Sequence, residues 1–204
     1  MIPFIHVNCA MSADGKIAGP ERKQLRISSD EDLVRVKGLR MQYDAILVGV
    51  GTIVSDDPHL TVKGLSYDEN PLRIVLDPNG RTPDDALVLD DRAPTVIVTN
   101  EDCSKTWKNA KVIRSGKRIE LREVLEFLAD SGIESVLVEG GGRTIASFFA
   151  EGLVDRYTVF VGGMVIGGKD SPTPADGPLK IGKELKLLSS EVSGNGVILT
   201  YDVH

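Results

Sequence analysis

Short runs of Val, Ile and Leu, each closed by turn residues, alternate along this chain with segments whose apolar positions recur every three or four residues. The runs predict strands over residues 2–8, 45–49, 73–77, 95–99, 112–114, 135–139 and 157–161. Residues 120–131 place Leu121, Val124, Leu125 and Leu128 at helical spacing, one apolar stripe to lie on a sheet, and Gly132 supplies the stop. An earlier helix is expected from Ser28-Ser-Asp-Glu, whose hydroxyls and carboxylates cap and charge a first turn that leads on towards Leu33, Val36 and Arg40. A third starts at Gly140–Gly142 and buries Ile145, Phe148 and Phe149. After Gly162 the pattern becomes a Gly/Pro-rich loop over 167–178. Two alternating runs follow, 185–192 and 197–203, joined by Ser193-Gly-Asn-Gly196, a hairpin signal. The expected architecture is α/β, a mixed and mostly parallel sheet with helices on both faces and an antiparallel C-terminal hairpin.

At 204 residues and 41% hydrophobic content the chain can bury one sizeable core, and nothing in it reads as a linker, so residues 1–204 are expected to form a single domain. The formal charge is −6 and the basic residues are spread among acids, which disfavours a nucleic-acid-binding surface. No apolar run reaches the roughly 18 residues of a membrane span. The first residues, Met1-Ile-Pro-Phe-Ile-His6, lack the charged start of a signal peptide, so a soluble cytoplasmic protein is expected. With only Cys9, Cys103 and three histidines (His6, His59, His204), neither a disulfide framework nor a metal site is expected, and both thiols should be reduced and inert.

The chemistry concentrates where strands end in glycine. Val136-Leu-Val-Glu-Gly-Gly-Gly-Arg-Thr144 runs a strand into a helix through Gly140, Gly141 and Gly142, and the free amides and positive dipole end of such a helix suit a phosphate or pyrophosphate. A tight turn alone would also use these glycines. A second loop, Val48-Gly-Val-Gly-Thr-Ile-Val-Ser-Asp-Asp-Pro58, resembles a dinucleotide fingerprint but has Val54 at the third glycine position, and Asp57-Pro58 leaves no room for a crossover helix. Gly163-Met-Val-Ile-Gly-Gly-Lys-Asp170 misses a phosphate-binding loop by one residue, since Asp170 replaces the hydroxyl that holds magnesium. His59 reads as a solvated loop histidine and Trp107 as a partly exposed packing residue. Asp14-Gly15 is a turn pair.

Four ordered motifs then carry a family resemblance: Met11-Ser-Ala-Asp-Gly-Lys-Ile-Ala18, the stretch from Leu39 to Thr61 containing Val48-Gly-Val-Gly-Thr-Ile-Val-Ser-Asp-Asp-Pro58, Asn70-Pro-Leu-Arg-Ile-Val-Leu-Asp77, and Val138-Glu-Gly-Gly-Gly142. The chain resembles the riboflavin-biosynthesis reductases, and within them the stand-alone archaeal and fungal type. The resemblance implies a dihydrofolate-reductase-like fold and a homodimer. It also implies reduction of 2,5-diamino-6-ribosylamino-4(3H)-pyrimidinone 5′-phosphate to its ribitylamino product by NADPH, with NADH as the alternative. By the same resemblance Ala10, Thr52, Asp56, Pro78, Gly140, Gly141, Gly142, Arg143 and Thr144 contact the cofactor. Gln24, Arg40, Leu60, Lys63 and Glu139 contact the substrate, Arg40 and Lys63 through its 5′-phosphate. Glu139 and Asn8 are the candidate catalytic residues; bacterial relatives place a lysine near Asn8, a polarising role that Lys16 could take. Neither signature of the zinc deaminase domain that precedes the bacterial enzymes, His-x-Glu or Pro-Cys-x-x-Cys, occurs in the sequence. The alternatives are a dihydrofolate or pterin reductase, a reductase of the deaminated pyrimidinedione, and a nucleotide-binding module without catalysis.

Overall fold

A computed structural model describes residues 1–23, 25–177 and 182–204. In chain order its elements are β1 (Phe4–Ser12), α1 (Asp30–Arg40), β2 (Ala45–Gly49), α2 (Val50–Asp56), β3 (Leu72–Leu76), β4 (Thr95–Thr99), β5 (Lys111–Arg114), α3 (Leu121–Asp130), β6 (Ser135–Gly140), α4 (Gly142–Ala150), β7 (Arg156–Gly162), β8 (Leu185–Ser193) and β9 (Gly196–Val203). They fall into two compact units, Met1–Phe4 with Arg40–Leu137 and Ile5–Leu39 with Val138–His204.

The first unit holds parallel strands in the order β5-β4-β3-β2, with β6 entering beside β2. Alternate residues of these strands, Ile46, Val48, Val75 and Ile97, cluster with Val50 and Ile53 of α2 and with Val88, Leu89 and Trp107. The stripe Leu121, Val124, Leu125 and Leu128 is buried, and Gly132, at φ +88°, ends α3 as its position predicts. Three expectations change here. A crossover helix does fit before Pro58, because α2 needs only seven residues and Asp57 closes it in the left-handed region (φ 42°). Trp107 is buried rather than surface-packed: its indole N–H donates to Thr82 O (3.0 Å), and the neighbouring Lys105 covers the ring. His59 is only partly solvated and is not a free loop histidine, since its Nδ1 lies 2.8 Å from Asp90 Oδ2.

That histidine belongs to a network around Arg73, which is fully buried in β3. Its Nε donates to Thr95 Oγ1 (2.9 Å), Nη1 to Asp90 Oδ1 (2.8 Å) and His59 O (3.2 Å), and Nη2 to Asp90 O (2.7 Å) and Ala93 O (2.5 Å). Every guanidinium proton therefore has an acceptor. Burial pushes the Asp90 carboxyl up, but hydrogen bonds from Arg73, the Arg92 amide and His59 outweigh it and hold the group below the ordinary carboxylate range. The chain from His59 to Ala93 is thus strapped to β3 by one side chain.

In the second unit the order runs β6-β1-β7-β9-β8, with β7 parallel to β1 and the last two strands antiparallel. Strand β1 outlasts its predicted end at Asn8 because Cys9 to Ser12 continue the ladder with Val159 to Gly162. The hairpin turns on Gly194-Asn195; a Cβ at Gly194 would meet Ser29 and Glu31, so glycine is required there. Helix α4 buries Ile145, Phe148 and Phe149 as predicted, and Phe149 meets Tyr157 edge-on at 5.5 Å. Helix α1 departs from expectation. Its Ser29 hydroxyl does cap the Asp32 amide (3.1 Å), but Leu33 and Val34 are exposed while Asp32 is buried. The reason is polar: the helix meets a strand face that carries His6 and Asn8.

The Asp14-Gly15 pair makes its turn, with Gly15 at φ +75°. It also fastens a second loop, since the Asp14 carboxylate accepts the Ser12 hydroxyl (2.6 Å) and the amides of Ile166 (3.0 Å) and Gly167 (2.8 Å). These bonds, the Ser12 hydroxyl first, bring its pKa down to about 2. No helix follows Gly163–Asp170 among the described residues, and Pro178 lies outside them.

Candidate active site

In the second unit, β6 delivers Glu139, half-buried, to the mouth of the glycine turn. The three glycines have separate reasons. Gly140 sits at φ +123°, which side chains rarely adopt. Gly141 is the N-cap of α4 in extended backbone, and no side chain caps the helix, which leaves its first amides and dipole end without a side-chain acceptor. Gly142 is bare because a Cβ there would lie 2.3 Å from Thr173 O. Arg143 is exposed and Thr144 half-buried in the same first turn. An anion of pyrophosphate size fits this end of α4 chemically: it supplies donors and positive dipole and contains no acid in its first turn.

Beside β6, strand β1 carries Asn8 and Ala10 on one face. Asn8 is buried, and its Oδ1 accepts a bond from Arg35 Nη2 (2.9 Å). Arg35 was not singled out by its sequence context, although an acid three residues earlier on a helix, Asp32, is the spacing of an ion pair. The Lys16 ammonium reaches Ser171 O (3.4 Å), within the loop fastened by Asp14. His6 points to the same face as Asn8, with Nε2 2.9 Å from Thr158 Oγ1. Burial, then the charges of Arg156 and Arg35, lower its pKa to about 4.

The sign of that shift fixes a stability prediction. Between pH 4 and 6.5 the unfolded chain binds a proton at His6 that the folded chain refuses, so stability rises with pH across this window and is lost on acidification through it. Urea titrations at a series of pH values should show a loss of about 3 kcal/mol from this group, and His6→Gln should flatten the dependence. An unchanged slope in the variant would remove His6 as its source.

On the sheet's other face the Cys9 thiol lies 3.5 Å from the Tyr157 hydroxyl, and burial above all pushes its pKa up to about 11, which suits an unreactive thiol. Both cysteines are free. Among the described residues no group of three His, Cys, Asp or Glu is placed to hold a metal ion.

The first unit brings together the candidates for a phosphate. Arg40 Nη1 donates to Thr61 O (3.3 Å), which ties the end of α1 to the loop that carries Leu60 and exposed Lys63. Leu60 itself is buried in the core at φ +51°, so only its main chain can face a ligand. Thr52 and Asp56 stand one turn apart on α2, both half-buried. Pro78 opens the loop after β3, which Asp77 shapes by accepting the amides of Arg81 (2.9 Å) and Thr82 (2.7 Å). Gln24 lies outside the described residues.

The family model for the RibD C-terminal domain matches residues 3–199. This chain belongs to that family. The similarity of this RibD C-terminal domain to curated relatives runs end to end. It is 41% identical to the 2,5-diamino-6-ribosylamino-4(3H)-pyrimidinone 5′-phosphate reductase of Archaeoglobus fulgidus, over 98% of each chain. With the reductase of the same name from Methanothermobacter thermautotrophicus it shares 39% identity over 100% of this chain and 99% of the other. Its fold matches the riboflavin biosynthesis reductase of Saccharomyces cerevisiae with a TM-score of 0.81 at 21% identity, covering 100% of this chain and 90% of that one. It also matches a deaminase/reductase of Thermotoga maritima with a TM-score of 0.82 at 24% identity, and there the chain spans 57% of the other's length. The fold is therefore that of the riboflavin-biosynthesis reductases, the dihydrofolate-reductase-like sheet expected from the motifs.

Proposed function

We propose that this chain reduces the ribosylamino group of 2,5-diamino-6-ribosylamino-4(3H)-pyrimidinone 5′-phosphate to the ribitylamino product, using NADPH. The observation that carries the reading is the uncapped N-terminus of α4 behind Glu139 and Gly140, in a chain similar over its whole length to two reductases of that name. When bound, the cofactor would supply a hydride to C1′ of the substrate once its aminoribose ring has opened to a C=N bond, and a proton from solvent on the nitrogen would complete the amine. The amides of Gly141 to Thr144 hold the pyrophosphate, while Ala10, Thr52, Asp56 and Pro78 complete the cofactor's contacts. Arg40 and Lys63 grip the 5′-phosphate, the Leu60 main chain and Gln24 border the substrate, and Glu139 accepts hydrogen bonds from its pyrimidine or ribose. Asn8 donates to it. Such a site needs no strong acid, because holding donor and acceptor at near-attack distance lowers the barrier by several kcal/mol, about 7–11 in favourable cases.

The enzyme acts in the cytoplasm as a homodimer, a state supported by Leu187, Leu188 and Val192, which stand exposed on β8. No helix among the described residues is long and apolar enough to cross a membrane.

The test is an absorbance assay for oxidation of the reduced nicotinamide, offering the diamino substrate or its deaminated counterpart with NADPH or NADH. Turnover of the diamino substrate with NADPH supports the reading; cofactor bound but never oxidised, or turnover of dihydrofolate alone, overturns it. Within that assay Arg40→Ala should raise KM for the phosphorylated substrate about 10- to 100-fold, the worth of one charge-assisted phosphate contact, and leave KM for NADPH unchanged.

A further inference from the structure

Helix α1 lays polar rather than apolar residues on the strand face that carries Asn8. Arg35 Nε and Nη2 both reach Asp32 Oδ1 at 2.8 Å, and the remaining Nη2 proton goes to Asn8 Oδ1 at 2.9 Å. A guanidinium has no acceptor, so it can face only the oxygen end of the amide. That settles the rotation of Asn8, which a strand face alone would leave open: Nδ2 and its two protons turn away from Arg35. A cation on the carbonyl side also polarises the amide and strengthens those protons as donors.

The arrangement is an odd choice for stability. Asp32 is 1% exposed, and its Oδ2 has no hydrogen-bond partner. A buried ion pair with one oxygen unserved gains little over apolar packing, whereas it does fix one geometry. Asn8 lies on β1, next to the strand that carries Glu139, and two residues before Ala10 on the same face.

We propose that Arg35, anchored by Asp32, is a positioning residue that holds the Asn8 amide with its Nδ2 protons aimed at the ribose oxygens of the substrate. The inference rests on the reductase reading above and adds to it the reason Asn8 can act where bacterial relatives use lysine: a fixed neutral donor backed by a cation.

A double-mutant cycle tests it. Arg35→Lys keeps the charge beside Asp32 but loses the fork, so kcat should fall about tenfold with KM for NADPH unchanged. In an Asn8→Ala background, where kcat is already reduced, the same change should cost less than about twofold, because Arg35 then has nothing to orient. Equal losses in both backgrounds, or no loss in the wild-type background, overturn the proposal. Asn8→Ala with wild-type kcat overturns it too, while leaving the reductase reading intact; wild-type protein that never oxidises NADPH defeats that reading instead. Should Arg35→Lys fold poorly, Asp32→Asn/Arg35→Met removes both charges together, and the same kcat loss with unchanged NADPH affinity is expected.

Discussion

Replacing Arg73 with methionine should lower the free energy of unfolding by about 3–5 kcal/mol, the cost of stripping one partner from a buried ion pair. The side chain has no exposed surface, and its acceptors are Thr95, Asp90, and the carbonyls of His59, Asp90 and Ala93. Methionine fills most of the volume but leaves Asp90 with His59 and Arg92 alone and buries carbonyls without donors. Lysine should recover less than half of the loss, since an ammonium has three donors at a point and cannot reach acceptors spread around a planar fork. Urea unfolding at pH 7 measures this as a shift in midpoint at constant slope. A loss below about 1 kcal/mol would show that the strap from His59 to Ala93 is held by something else.

Gly141→Asp should weaken NADPH binding by about a hundredfold or more while leaving the melting temperature unchanged or slightly raised. The two effects share one cause. Gly141 occupies an extended N-cap, a backbone conformation open to any residue, and an aspartate carboxylate there would accept the first-turn amides that no side chain now caps. Capping gains a few tenths of a kcal/mol for the helix. It also places a negative charge on the amides proposed to hold a pyrophosphate, which loses charge-assisted bonds of about 1.5–3 kcal/mol each. Gly141→Ala, which adds no charge and no acceptor, should cost far less. Fluorescence titration of the reduced cofactor separates the two, and equal losses in both variants would argue for crowding rather than occupied amides.

The elements that bury apolar residues at a regular period were readable in advance. The stripe of α3 and the buried face of α4 lie where their spacing places them, because one face of each is decided by hydrophobic burial, and the hairpin β8–β9 lies where its turn residues place it. What escaped was decided by polar partners distant in the chain. Arg73 sits in a run that reads as a plain strand, yet its five donors meet residues 14 to 22 positions away. Helix α1 points Asp32 inward because Arg35 and Asn8 answer it, and no periodicity announces such a trio. His59 and Trp107 were misread for the same reason, as each is held by a contact to a remote acceptor, and Trp107 is buried by it. At the site, the strand-to-helix turn through Gly140 to Gly142 was legible in the sequence, but the reason Gly142 is bare required the position of Thr173. Gly142 is bare for the chain's own packing, and only its amide remains for a ligand.

Crystals grown with NADPH test the central claim most directly, because they locate the pyrophosphate. Density for both phosphates within hydrogen-bond distance of the amides from Gly141 to Thr144 is the result expected. A dinucleotide seated elsewhere, with the first turn of α4 facing solvent, would contradict it.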